Sequence, residues 1–405
     1  MKVCQINCVY GRGSTGKIVQ SLHRELQKNG HESIVICPTV KAEDLEANVF
    51  TVSNRYLSRA SALYRRLFAR QFDGALIQTS RILNILEKER PDVVHLHCIN
   101  GNNINIYRLL RYLAKKSIKT ILTVHAEFMF TGGCEHAYDC ERYKSGCGKC
   151  PYPQSTQSFF FDGTAHTWKQ FKKSYALFDK ELFHYAAVSP WLEHRVASSP
   201  LLHGLKGSTV KNGIDTSVFH YCERESLREE LGIAPDEKIV FHVAAFFDPT
   251  TDNIKGGKYV VELAKRLEGQ KVRFVIAANR TVVSALPENV LSIGKSLSSE
   301  QLAEMYSLAD VTLLTSKRET FSMPTAESLC CGTPVVGFCA GGPESIAITE
   351  YSKFVPYGDV GALEKALQEF LAASADKKTV SEQAVKTYSC ETMFEEYMKL
   401  YTEKR

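Results

Sequence analysis

The chain has 405 residues, of which 44% are hydrophobic and 23% charged, and its formal net charge is +5. These values are ordinary for a globular protein and allow two domains with full cores; they exclude a disordered or low-complexity chain. No apolar run approaches the roughly 18–20 residues that span a bilayer, and the first residues have the pattern of a strand and not of a signal peptide.

Short apolar runs alternate with amphipathic helical runs along the whole chain. Strands are predicted at 2–8, 32–37, 93–97, 120–125 and 185–189, and in a second series at 239–244, 272–277, 311–314 and 335–338. Helices are predicted at 16–29, 80–89, 258–267, 299–308, 325–331 and 391–402. This alternation favours an α/β fold with two doubly wound parallel sheets, whose ligands lie at the carboxyl ends of the strands. Because the two series are separated near 199–219, we expect domains over 1–200 and 207–385 and a C-terminal segment over 386–405.

A glycine-rich loop follows the first strand, with three glycines between residues 11 and 16. It formally matches the G-x-G-x-x-G fingerprint, but the second strand ends in Ile-Cys-Pro, without the acidic residue that binds a dinucleotide ribose. It nearly matches the phosphate loop, but Ile18 stands where a Ser or Thr should follow Lys17. Two interpretations remain: a turn without a ligand, or a flexible loop whose N–H groups at Gly13 and Ser14 approach a diphosphate.

Two stretches, residues 55–70 and 168–178, combine basic and aromatic residues with a helical period. One interpretation is a pair of solvated helix faces. The other is contact with anionic lipid at a membrane surface, which would suit an acceptor carried on a polyprenyl diphosphate.

The strand at 120–125 ends in His125, and a cysteine-rich insertion over 131–151 follows. A histidine at a strand end is commonly structural, but the carboxyl end of a parallel strand is also the ligand edge. In the insertion, the closing Cys-Gly-Lys-Cys-Pro has the shape of a zinc knuckle and favours a structural zinc site; unpaired thiols, disulfides and an iron–sulfur cluster are the alternatives. The four candidate ligands are Cys134, Cys140, Cys147 and Cys150.

Lys255 follows the first strand of the second series and precedes Gly-Gly and a helix. A cation at this place can neutralise charge on a departing diphosphate; the alternative is a surface lysine at a helix start. There is no D-x-D motif in the chain, which argues against a metal-chelated nucleotide.

Two carboxylates, Glu319 and Glu327, are separated by seven residues after the run 311–315. Glu327 lies about one turn inside a helix that Pro324 opens and Gly332 ends. Carboxylates bind sugar hydroxyls, and the free N–H groups of a helix start bind an anion such as a diphosphate, so the segment fits a nucleotide-sugar. The alternative is a solvated loop residue and a helix residue that the dipole favours.

The segment from 317 to 345 resembles the E-x7-E region of the retaining glycosyltransferases of family GT4. The resemblance implies a GT-B fold, with two Rossmann-like domains facing a cleft and a last helix that packs back on the first domain. It implies that Glu319 contacts the donor sugar, that Glu327 contacts the ribose, and that Phe321, Ser322 and Met323 bind the donor.

The same resemblance implies a donor loop at Gly13 and Ser14, a histidine against sugar and acceptor at His125, and a phosphate-binding cation at Lys255. Family members usually carry an arginine five residues before that lysine, which is absent here, so we expect Arg12 or Lys317 to supply the missing charge. No covalent protein nucleophile is implied, and the departing diphosphate helps to deprotonate the acceptor.

We therefore predict a hexosyltransferase that moves a sugar from a nucleotide-diphosphate donor to a glycan or lipid-linked acceptor, with retention. No cofactor is expected for catalysis. The alternatives are a sugar-nucleotide epimerase or phosphorylase of the same fold and a non-catalytic nucleotide-sugar-binding module. With thirteen cysteines and no secretion signal, we expect reduced thiols, a cytoplasmic protein peripheral on the inner face of the membrane, and no nucleic-acid partner.

Overall fold

A computed structural model describes residues 1–152, 161–224, 226–282, 286–293, 297–373 and 375–403. The chain forms two compact units. The first contains Met1–Lys211 together with Met393–Arg405, and the second contains Asn212–Thr392. No helix among these described residues is long and apolar enough to cross a membrane.

The first unit is a seven-stranded parallel sheet with the strand order β3-β2-β1-β4-β5-β6-β7. Its strands are β1 (Lys2–Ile6), β2 (Glu32–Cys37), β3 (Val49–Thr51), β4 (Val93–Leu96), β5 (Lys119–Val124), β6 (Phe183–Ala187) and β7 (Lys206–Thr209). Its helices are α1 (Gly13–Lys28), α2 (Arg55–Phe68), α3 (Leu76–Glu89), α4 (Ile106–Lys115), α5 (Thr164–Tyr175) and α6 (Pro190–Ala197). Short 3-10 turns lie at Ala42–Asp44, Glu127–Met129 and Arg142–Lys144.

The second unit is a six-stranded parallel sheet with the order β10-β9-β8-β11-β12-β13. Its strands are β8 (Lys238–Phe247), β9 (Val272–Thr281), β10 (Val290–Ser292), β11 (Val311–Leu314), β12 (Val335–Phe338) and β13 (Ser352–Val355). Its helices are α7 (Ser226–Glu230), α8 (Gly257–Arg266), α9 (Ser299–Leu308), α10 (Met323–Cys330), α11 (Gly342–Ile346), α12 (Val360–Ala372) and α13 (Lys377–Tyr388), with a 3-10 turn at Thr349–Tyr351.

The predicted pair of doubly wound parallel sheets is confirmed. Central strands such as β4 and β11 are buried along their whole length, as expected for parallel strands covered by helices on both faces. Helix α9 begins at a capping box in which Ser298 and Gln301 satisfy each other's backbone N–H groups.

The C-terminal helix α14 (Cys390–Thr402) returns to the first unit. Its Met393, Phe394, Tyr397 and Tyr401 join one apolar core with residues of β1, α1, β4 and β5. The Tyr401 hydroxyl lies 2.6 Å from His95 Nδ1, so the helix also closes a polar contact inside that core.

Candidate active site

The sheet of the second unit reverses its strand order at β8, which lies between β9 and β11. In doubly wound sheets this reversal opens a crevice beyond the carboxyl ends of the two central strands, because the connections leave in opposite directions. Lys255 lies in the segment after β8 and Glu319 in the segment after β11, so both residues are at that crevice.

Lys255 and Glu319 form an ion pair with 2.5 Å between Nζ and Oε1. Their side chains are 33% and 18% exposed, so the pair is open to a ligand yet partly shielded from water. The backbone of Lys255 is fixed on both sides: its N–H donates to Asn253 Oδ1 at 2.9 Å, and its carbonyl accepts from the Thr315 hydroxyl at 2.8 Å. The cation is therefore held in place before any ligand arrives.

The backbone of Glu319 is fastened to the segment after β12. Its N–H donates to the Ala340 carbonyl at 3.0 Å, and its own carbonyl accepts from Gly342 N at 2.9 Å. A Cβ on Gly342 would lie 2.5 Å from the Thr320 carbonyl, so only glycine permits this close approach. The Glu344 carboxylate accepts hydrogen bonds from Ala340 N and Gly341 N, at 3.0 and 2.8 Å. These bonds fix the segment that holds the Glu319 backbone in place.

Helix α10 begins directly after the segment that contains Glu319. Ser322 is its N-cap, with Oγ accepting from Thr325 N at 3.4 Å, and it has φ 82°, a left-handed conformation that is costly for a residue other than glycine. Phe321 is buried and Met323 is the first helical residue. Pro324 has no N–H and Thr325 N is capped by Ser322, so the Met323 N–H is the first-turn donor that suits an anion.

Glu327 lies in the second turn of α10 and is half-buried. The Tyr306 hydroxyl donates to its Oε2 at 3.3 Å. Burial raises the pKa of Tyr306 well above its ordinary value, so this phenol remains a donor at neutral pH. The contact orients the Glu327 carboxylate and leaves it as an acceptor for hydroxyl groups.

Thr250 stands five residues before Lys255, where the arginine is missing, and Phe246 and Phe247 precede it at the end of β8. Phe247 is buried and Phe246 is exposed, and Phe246 pairs in register with Arg280 on β9. Sequence reasoning missed Arg280, because only the strand register brings it beside the end of β8. Its exposed side chain adds a cation at the carboxyl edge of the sheet.

The two residues expected to replace that arginine have other contacts. Arg12 Nε lies 3.2 Å from Asp44 Oδ2. Lys317 Nζ lies 5.8 Å from the centre of the Tyr357 ring.

In the first unit the strand order reverses between β1 and β4, and the glycine-rich loop follows β1. Helix α1 begins at Gly13, three residues earlier than expected, so Gly13 and Ser14 are its first two residues and not part of a loop. Gly13 has φ +62°, and no atom lies within 4 Å of the position where its Cβ would be. The helix start is thus open, with its first N–H groups exposed.

His125 follows β5 and is buried, with Nε2 3.3 Å from His97 Nδ1. His97 Nε2 in turn lies 3.2 Å from Gln5 Oε1. Burial lowers the pKa of His125 to about 3, so its imidazole is neutral at pH 7. Glu127 does not orient it: that carboxylate pairs with Arg195 and accepts from Ala137 N. His97, and not Glu127, contacts and orients the His125 ring. In the sequence, only its position directly after β4 pointed to a role for His97.

The four cysteines of the insertion, Cys134, Cys140, Cys147 and Cys150, line one cavity of about 20 Å³ in the first unit. All four are free thiols. No three or more His, Cys, Asp or Glu among the described residues stand ready to hold a metal ion, so these thiols would have to move inward to do so. The cavity has room for roughly one water-sized or ion-sized occupant.

Comparison with known families identifies the class of protein. The family described as Glycosyltransferase Family 4 matches residues 15–218, which is half of the chain, and Glycosyl transferases group 1 matches residues 223–387. The chain therefore belongs to the family 4 glycosyltransferases.

Named relatives agree with this class. WcaC of Escherichia coli K12, which is named as a colanic acid biosynthesis glycosyl transferase, is 21% identical over 99% of both chains. N-acetyl-alpha-D-glucosaminyl L-malate synthase of Bacillus anthracis is 29% identical, but the match spans 40% of this chain and 43% of that relative.

Sucrose-phosphate synthase from Thermosynechococcus elongatus has a TM-score of 0.69 at 17% identity, over 99% of this chain and 98% of that chain. Anabaena HepE, crystallised with UDP-glucose, has a TM-score of 0.65 at 13% identity over 100% of both chains. At these identities the likeness shows the fold, which is GT-B.

Proposed function

We propose that this glycosyltransferase transfers a hexosyl group from a nucleotide-diphosphate sugar to a glycan or lipid-linked oligosaccharide, with retention of anomeric configuration. The observation that carries the proposal is the Lys255–Glu319 pair at the strand-order reversal, with Glu319 four residues before the first residue of α10. One cation, one carboxylate and the positive end of the α10 dipole match the diphosphate and the sugar hydroxyls of such a donor. The crystallised complex of HepE with UDP-glucose is consistent with a donor of this type.

In the free protein, Glu319 holds the Lys255 ammonium in position. When a donor binds, its diphosphate competes for that ammonium, and Glu319 becomes free to accept a hydrogen bond from a sugar hydroxyl. Negative charge builds on the diphosphate as its bond to the anomeric carbon of the sugar breaks. A cation that is fixed beforehand therefore stabilises the transition state more than the ground state. The helix dipole of α10 adds a partial positive charge at its start, in the same direction.

Glu327 is proposed to accept hydrogen bonds from the ribose hydroxyls. It lies on α10, about one turn from the helix start that is proposed to face the diphosphate. Because the ribose does not change during transfer, this contact strengthens donor binding equally in ground and transition states.

Arg280 is proposed as the second phosphate-binding cation, in place of the arginine that the chain lacks. The support is its register opposite Phe246 at the end of β8 and its exposed side chain. The planar guanidinium of an arginine can contact two phosphate oxygens through parallel hydrogen bonds, whereas a lysine ammonium acts as a point charge.

From the first unit we propose His125 as the residue against sugar and acceptor, and Gly13 and Ser14 at the start of α1 as donor-binding residues. A neutral imidazole can accept or donate one hydrogen bond without bringing a positive charge toward the sugar. No protein nucleophile is required, because the departing diphosphate can take the acceptor proton. Membership of family 4 supports retention and a polysaccharide or lipid-linked acceptor, and the name of WcaC, which matches over 99% of both chains, refers to colanic acid biosynthesis.

A structural zinc ion is proposed for the cysteine-lined cavity. Four thiolates complete a tetrahedral shell and leave no open position, so such an ion would stabilise the insertion and take no part in transfer. The support is the chemistry of the donor set and the cavity that all four residues share.

The test is a panel of UDP-, GDP- and ADP-sugars incubated with the protein, with and without a lipid extract as acceptor, and analysed for released nucleoside diphosphate and for new glycoconjugate. Acceptor-dependent release of nucleoside diphosphate is expected for one donor. Donor conversion that ignores acceptor would favour an epimerase, phosphate-dependent conversion a phosphorylase, and binding without turnover a binding module.

A further inference from the structure

Helix α2 presents its polar side to the protein and its apolar side to solvent. Ser58 Oγ donates to Asn103 Oδ1 at 2.5 Å, and Gln78 Nε2 donates to Ser61 Oγ at 3.4 Å, so the serines face inward. None of the helix's residues is buried. A surface helix normally has the opposite orientation, with its apolar stripe against the core.

The outward face of α2 is an apolar stripe. Tyr56 is 79% exposed, Leu63 55% and Leu67 41%. At about 100° per residue these three side chains fall within an arc of roughly 40°. Phe68, 60% exposed, lies about 120° round the helix from the centre of this stripe, where its ring centroid is 5.2 Å from that of Tyr64.

The start of α3 enlarges this surface. Leu76 and Ile77 are 59% and 55% exposed. A Cβ on Gly74, two residues earlier, would touch the Tyr64 ring at 3.4 Å, so α3 begins beside the second half of α2. We call the exposed apolar residues of α2 together with Leu76 and Ile77 the apolar ridge.

Helix α5 shows that this orientation is not general in the chain. Residues 168–178 have a similar basic and aromatic composition, yet Trp168, Phe171 and Tyr175 are buried in the first unit and the lysines between them face solvent. The interpretation of that second stretch as a lipid contact is therefore not supported. Of the two stretches, only α2 leaves its apolar residues uncovered.

Positive charge borders the apolar ridge. Arg55, Arg59 and Arg66 are exposed and fall within a second arc of roughly 40°, next to the apolar stripe. No acidic residue occurs between Glu46 and Asp73. Apolar side chains flanked by arginines match the boundary of an anionic bilayer, where acyl chains lie beneath negatively charged headgroups.

We propose that the apolar ridge is a membrane-docking surface that inserts into the headgroup region of an anionic phospholipid bilayer, with α2 lying in the plane of the membrane. Leu63 and Leu67 enter the acyl boundary, and the arginines contact lipid phosphates. Only the biological use of this surface rests on the proposed function: membrane docking would bring the enzyme to a lipid-linked acceptor.

The test is co-sedimentation of the full chain with vesicles, without donor or acceptor. Binding is expected to equimolar phosphatidylglycerol–phosphatidylcholine vesicles, and weaker binding to pure phosphatidylcholine. Arg59→Gln with Arg66→Gln should lower the partition coefficient onto anionic vesicles about fivefold per arginine. Added salt should reduce this difference between the wild type and the double variant. Leu63→Ser with Leu67→Ser should lower it by about tenfold or more.

Leu45→Ser is the matched control, because Leu45 is equally exposed but follows Glu43 and Asp44, and it should leave binding unchanged. Leu63→Trp should show a blue-shifted emission when anionic vesicles are added, which reports insertion at α2 itself. Absence of binding to anionic vesicles, or equal binding by wild type and both double variants, would overturn the proposal. Failure of the donor panel with intact vesicle binding would instead overturn the proposed function alone.

Discussion

Replacing Lys255 with alanine removes the cation at the centre of the proposed donor site. Its Nζ lies 2.5 Å from Glu319 Oε1. The contacts that fix this segment, to Asn253 and Thr315, use only the backbone of Lys255, so alanine retains them. The change is therefore expected to remove charge without rearranging the loop.

Two losses combine in this variant. Loss of one preorganised contact to the departing diphosphate lowers turnover by roughly 10²–10³-fold, or about 2.7–4 kcal/mol in activation free energy. Glu319 also loses its partner and faces the diphosphate as a like charge, which should weaken donor binding by about tenfold. Lys255→Ala combined with Glu319→Gln should recover part of that binding, but not turnover.

Steady-state kinetics with the donor found in the panel, together with calorimetric titration of its nucleoside diphosphate, measure both effects. Lys258→Ala is the matched control, since this neighbouring lysine pairs with Asp252 at 2.7 Å and is not assigned to the donor. A fall in turnover of less than about threefold for Lys255→Ala would refute the assignment, because one preorganised contact is expected to be worth far more.

Other variants test the remaining parts of the account. Glu327→Ala should raise the donor Kd with little change in turnover, whereas Glu319→Ala should chiefly lower turnover; calorimetry and kinetics separate the two, and wild-type values in both would contradict the site. Arg280→Ala should weaken nucleoside diphosphate binding by about tenfold, and unchanged affinity would remove it from the site. Burial lowers the pKa of His242 to about 4, so the folded state favours its neutral form and loses stability as pH falls from about 6.5 toward 4. His242→Gln should flatten that loss in urea unfolding measured across this range, and an unchanged slope would contradict the burial argument. Elemental analysis should find about one zinc per chain, and chelation should lower the Tm; metal-free protein whose quadruple Cys→Ser variant is equally stable would exclude the metal.

The central strands could be predicted from sequence, and the edge strands could not. Strands β2, β11 and β12 begin and end at the expected residues. The four strands without a prediction, β3, β7, β10 and β13, are the outermost strands of the two sheets. Central parallel strands form continuous apolar runs because both faces are covered, whereas edge strands such as Lys206–Thr209 are short and mixed in polarity.

The candidate site was predictable where residues are close in sequence and not where the sheet brings them together. Glu319, Glu327 and the start of α10 form one local motif. Arg280 and His97 depend on strand register and on a contact between strand ends, which no local pattern encodes.

Amphipathic periodicity also has a limit. It predicts that a helix has two faces, but not which face is turned inward. Helices α2 and α5 have similar compositions and opposite orientations, because serines of α2 find polar partners in the first unit while aromatic residues of α5 fill its core.

A crystal structure of the protein with its bound donor or nucleoside diphosphate tests the central claim most directly. The account predicts that a phosphate oxygen lies about 2.7–2.9 Å from Lys255 Nζ and that the bond from Lys255 to Glu319 has lengthened or broken. A nucleotide bound away from the start of α10, with the Lys255–Glu319 pair intact, would contradict it.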